Sequence, residues 1–208
     1  VLLLTGLAMA ANAGAAVQEA GAEAAQIRTV EALRRAVGRS DGVARFEFAA
    51  RPGVWGDGRT WNFSREPERG DADGWRGRCD GCTNGPVRVT LRVENRDVTG
   101  VDSQVGGRWR ESGRDLGTVA ASAAADYLLG LVERDGREPD SDSREEALQA
   151  AVSARGVEAW PRVLAVAQDR SQASDVRKAA LFWSAHEAGG RAAAARLVRR
   201  PEQRGLTD

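Results

Sequence analysis

Val87-Arg88-Val89-Thr90-Leu91-Arg92-Val93-Glu94 is the most regular run in the chain. Every second side chain is apolar and its neighbours are charged or polar. That is the period of a strand with one buried face and one wet face. Glu94-Asn95-Arg96-Asp97 makes a turn, and Val98 to Val105 returns. The pair predicts an antiparallel hairpin or meander. Toward the N-terminus, Ala44, Phe46 and Phe48 alternate with Arg45 and Glu47 in the same way. Val54 to Trp61 holds an Asp57-Gly58 pair of the kind that closes hairpins, with Trp61 and Phe63 directed at the core. Gly106-Gly107-Arg108-Trp109 closes the β region.

Helical period flanks these strands. Gln18 to Val37 carries the stripe Ile27, Val30, Leu33, Val37. From Asp115 onward Thr118 is a candidate cap, and Val119, Ala123, Tyr127 and Leu131 share one face. The turn formers of 137–143 make a linker, and Arg144 to Ala154 reads as a further helix. Trp160, Val163, Leu164 and Ala167 then fall at i, i+3, i+4 and i+7, with Pro161 in the opening turn. Val176, Ala179, Ala180 and Trp183 form a second stripe, capped by Ser174 or Asp175 and ended by Gly189-Gly190. Arg191 to Arg199 offers a last helix. The expected class is α+β: an α+β unit over 26–112 followed by an all-helical unit over 115–200.

The helical pair 160–190 resembles one repeat of the HEAT family of α-solenoids. The matching residues are Leu164 on the first helix, Asp169 in the turn, and Val176, Arg177 and Ala180 on the second. The resemblance implies a scaffold that binds a partner, not a catalyst. A solenoid repeat cannot bury its apolar face alone, and about three are usually needed. One good unit with flanking fragments therefore implies either a cap supplied by the rest of the chain or further repeats.

Thirty basic residues face thirty acidic ones, which gives no bulk-charge argument for nucleic acid. All the basic residues but Lys178 are arginine. The segment 1–16, VLLLTGLAMAANAGAA, resembles the apolar core and small-residue cleavage region of a secretory signal, with Ala8-Met9-Ala10 and Ala11-Asn12-Ala13 as candidate sites. It is too short to span a bilayer, for which about 20 apolar residues are needed. Export to a periplasmic or extracellular space is the expectation, with no membrane span and no cofactor.

Ser64 to Pro86 is polar, Gly-rich and aperiodic, and so reads as a long loop. It contains Cys79-Asp80-Gly81-Cys82, the only two cysteines. In an exported chain a disulfide staple is the default, with thiol exchange or metal binding as alternatives. A redox-active pair wants a helix start after it, and zinc wants more ligands than two. Trp75, with Arg76 and Arg78 beside it, is the candidate partner-binding surface of this loop. Trp55 and Trp109 read as core residues. His186, the only histidine, reads as a surface residue near a helix end. No catalytic residue and no metal ligand is assigned. The leading expectation is an exported interaction module, and the alternative is an exported thiol–disulfide redox protein.

A thiol count on native and denatured protein separates these two. A staple leaves no reactive thiol and resists reduction to below about −300 mV. A bridge poised in the thioredoxin or isomerase range favours the redox alternative.

Overall fold

The computed structural model describes residues 26–59, 61–63, 81–134, 139–186 and 190–198. Its class is α+β, a four-stranded mixed sheet with six helices. The order along the chain is α1 (Val30–Val37), β1 (Gly42–Phe48), β2 (Val54–Gly56), β3 (Trp61–Phe63), β4 (Val87–Glu94), β5 (Asp97–Val105) and β6 (Arg114–Thr118). There follow α2 (Ala121–Val132), α3 (Ser141–Val152), α4 (Trp160–Gln168), α5 (Ser174–His186) and α6 (Arg191–Val198).

The sheet order is β5-β4-β1-β6. β4 pairs antiparallel with both neighbours, placing Phe46 opposite Val89, Phe48 opposite Val87 and Leu91 opposite Val101. Alternation sends these apolar side chains to one face, where all are buried. β2 and β3 form the small hairpin closed by Asp57-Gly58, and Trp61 and Phe63 pack half-buried against the core. Gly106 and Gly107 both sit at positive φ, 64° and 66°. A Cβ on Gly107 would lie 2.6 Å from the Gly58 Cα, so only glycine lets the hairpin tip close on the end of β5.

Three local expectations are corrected. Residues 18–25 of the helix predicted from Gln18 lie outside the described residues; 26–29 are not helical, and the helix that is described begins at Val30, where Thr29 accepts a bond from the Ala32 amide. Ile27 instead bridges Val119, and its amide donates to the Thr118 carbonyl. The β region does not close at Trp109: Arg114–Thr118 runs parallel to β1 as β6, so Thr118 is a strand residue and caps nothing. Asp115 bonds back to the Gly117 amide, and Val119 donates to Glu47, which holds the segment extended. Ser174 and Asp175 both lie inside the first turn of α5.

The helices cover the apolar face of the sheet and continue away from it. α2 is buried on nearly every side and packs on α1, α3 and α4. Asp140 caps α3 by accepting from the Ser143 amide. α3 lies along the edge strand β5, where the Ser143 hydroxyl accepts from the Val101 amide at 3.1 Å and the Ser103 hydroxyl bonds Glu146. The chain after β1 is tied to the end of α3 by Arg51 N–H to Ser153 and Arg155 N–H to Ala49. α4 and α5 pack as a hairpin, α5 lies against α3, and α6 closes on α4 and α5. Two arginines stitch the hairpins: Arg162 reaches Asp126 and Glu133, each at 2.8 Å, and buried Arg144 donates to Gln172 at 2.8 Å. The buried apolar residues form one cluster from α1 to α6.

Truncating the central sheet contact tests this core. Phe46→Ala is expected to cost about 3–5 kcal/mol in denaturant unfolding. Arg92→Ala, which loses only an exposed ion pair to Glu111, costs under about 1 kcal/mol.

Candidate functional site

Asp142, Glu145, Glu146 and Gln149 recur at i, i+3, i+4 and i+7, so they form one stripe of α3. Asp175, Lys178, Ala179, Phe182 and Trp183 form the facing stripe of α5. The two stripes line a groove of about 610 Å³. Four carboxylates against one ammonium give it a negative field.

Its apolar end is an aromatic chain. The Trp183 ring lies 4.8 Å from Phe63, which stacks on Trp61 at 5.9 Å. Phe182 meets Trp183 edge-on at 4.9 Å, and His186 packs 4.1 Å from Phe182. The His186 Nδ1 lies 2.8 Å from the Phe182 carbonyl; an oxygen there only accepts, so the bond puts the hydrogen on Nδ1. Phe182 is the one large apolar side chain exposed among the described residues, at 53%. A single exposed apolar residue means little, but this one continues a packed aromatic row beside four acids.

Burial raises the Glu146 carboxyl above the ordinary glutamate range, the Ser103 hydroxyl opposes that shift, and Asp102 adds to it. Glu145 is also raised, first by burial and then by Asp142, Asp175 and Glu146. The groove thus concentrates negative charge against its own preference, and a cation placed there relieves both glutamates.

Trp75, Arg76, Arg78 and Cys79 lie outside the described residues. Cys82 sits ahead of Thr83, which exchanges backbone bonds with Gly56 in a β-bridge. The element that follows Cys82 is the strand β4, so the helix start that a redox-active pair wants is not there. Trp109 is not a core residue: it lies on the open face of the sheet with the guanidinium groups of Arg45 and Arg88 at 5.0 and 5.3 Å from its ring. Arginines of that face pair with acids, Arg45 with Asp115, Arg88 with Glu47, Arg92 with Glu111 and Arg110 with Asp102. Among the described residues no group of three or more His, Cys, Asp or Glu side chains is placed to hold a metal ion, and no helix is long and apolar enough to cross a membrane. The groove acids were missed by the sequence reading, although the i, i+3, i+4 spacing of Asp142, Glu145 and Glu146 was their signal.

The raised glutamates set the sign of a pH effect. Native protein holds these protons more tightly than unfolded chain does. Their contribution to stability is therefore lost as pH rises from the unfolded range, about 4.3, through the higher native values. Glu146→Gln is expected to match the parent near pH 4 and exceed it in stability at pH 7, read by urea unfolding across that interval.

No family model, no curated protein and no solved structure matches this chain, so the site rests on its own geometry.

Proposed function

We propose that this chain is an exported, non-enzymatic interaction module that offers a HEAT-like helical surface to a cationic segment of another protein. The observation that carries the reading is the groove between α3 and α5, acidic along its walls and aromatic at one end. Carboxylates attract guanidinium or ammonium groups over the Debye length, and aromatic faces receive them at contact through cation–π attraction. The combination selects a basic stretch that also carries apolar side chains.

The helix arrangement supports the solenoid-like part of the reading. α2 packs with α3 and α4 with α5; α3 also packs on α5 and α2 on α4, so second helix meets second helix and first meets first. Of the residues that carry the resemblance, Val176 and Ala180 are fully buried and Leu164 is partly buried. Asp169 accepts from the Ser171 amide and hydroxyl in the interhelical turn, and Arg177 donates to the Ala167 carbonyl. The sheet covers the first pair, which fits the role of a cap for a short helical stack. Export rests on the apolar segment 1–16.

A fluorescein-labelled oligo-arginine peptide containing tryptophan is the probe. The reading expects saturable binding that weakens with salt, falls about two- to fivefold in Phe182→Ala, and falls further when Glu145→Gln is added. Binding that is equal in the parent and the double variant refutes it.

A further inference from the structure

We propose a second, separate binding site, for a ligand carrying clustered phosphoryl groups, in the groove between the C-terminal end of α1, the β4–β5 turn and the start of β6. It is lined by Arg35, Arg39, Arg96 and Arg114, with Ser40, Asn95 and one carboxylate, Asp41. Its volume is about 930 Å³, room for more than one phosphoryl group.

The four arginines come from three segments that the sheet brings together. Arg35 and Arg39 flank the end of α1, where the Gly38 amide caps the Arg34 carbonyl and the Ser40 hydroxyl caps that of Ala36. These bonds satisfy the helix carbonyls that would otherwise turn their partial negative charge on the groove. Arg96 occupies a two-residue turn in which both Asn95 and Arg96 adopt positive φ, 53° and 73°. That tight turn fixes where the Arg96 backbone leaves the sheet. Arg114 opens β6, and its Nη1 donates to the Arg39 carbonyl at 2.8 Å, so it is positioned by a neutral group and keeps its charge.

The neighbouring sheet face is arranged differently. There Arg45, Arg88, Arg92 and Arg110 each lie within 3.4 Å of a carboxylate oxygen. In a chain with thirty charges of each sign, acids are not scarce. Yet none of Arg35, Arg39, Arg96 and Arg114 has an ion-pair partner among the described residues. Four arginines line one groove in which Asp41 is the one carboxylate, and their summed field is one that an oxyanion stabilises. The planar fork of arginine donors matches phosphate oxygens two at a time. Nothing in this site depends on the acidic groove or on the HEAT-like reading.

Isothermal titration of the whole chain with pyrophosphate tests it, beside Arg35→Gln/Arg96→Gln and the control Arg92→Gln. The site predicts saturable binding that weakens about tenfold or more in the double variant, the loss of two charge-assisted contacts, and changes less than about twofold in the control. Matched thermal midpoints for the three proteins tie the loss to the site. Cosedimentation with phosphatidic acid vesicles, against phosphatidylcholine alone, then distinguishes the source. Vesicle binding abolished by the double variant assigns the phosphate to a lipid headgroup, and pyrophosphate binding without vesicle binding assigns it to a soluble phosphate ester. Absence of saturable pyrophosphate binding, or equal losses in the control and the double variant, overturns the proposal.

Discussion

The apolar face of β1 and β4 must be kept from water, and the rest of the structure is arranged around that requirement. Phe46, Phe48, Val89 and Leu91 alternate onto one side with no choice of register, because a one-residue slip would turn Arg45 and Arg88 inward. The cover is α2 and α3. α2 is apolar around most of its circumference and so needs neighbours on several sides, which α1, α3 and α4 supply. Hydrophobic burial draws these layers together, and the directional bonds at Ser143, Ser103, Arg144 and Arg162 choose among the ways of docking them.

Charge is distributed by a different rule. The chain is neutral as a whole, yet its surfaces are not. The open sheet face is self-neutralised, arginine against carboxylate, with Trp109 beneath two of the guanidinium groups. The α3–α5 groove holds an acidic excess and the α1–β6 groove a basic one. Surface ion pairs contribute little to stability, and here they leave the arginines of the open face matched by acids. Among the described residues, these two grooves are where charge of one sign gathers.

Much of the framework was legible in the order of residues. Strict alternation from Val87 to Glu94 and from Ala44 to Phe48 marked strands, and Asp57-Gly58 marked a hairpin, because these signals are local. β6 was not legible. Arg114-Asp115-Leu116-Gly117-Thr118 has little strand character of its own, and it is extended because β1 offers a parallel partner about 70 residues away. Ile27 misled for the same reason: a helical stripe continued to it, but the Thr29 cap and the bridge to Val119 overrode the period. The grooves were hidden more deeply. Asp142 read as part of the 137–143 linker, although the helix begins at Ser141, so its common face with Glu145 and Glu146 went unseen, and Arg35, Arg96 and Arg114 are scattered in sequence. Only the packing of α3 on α5, and the pairing of β1 with β4 and β6, gives either set a common location.

The seal on β5 also has an order in time. β4 and β5 are adjacent in the chain and can pair as soon as both leave the ribosome, which leaves β5 as an open edge. The Ser143 hydroxyl that occupies the Val101 amide follows 42 residues later. Over that interval the nascent chain displays a valine-bearing edge with free donors and acceptors, the feature that recruits strands from other molecules. Synthesis therefore passes through a window in which this edge is uncovered, and the docking of α3 on β5 closes it.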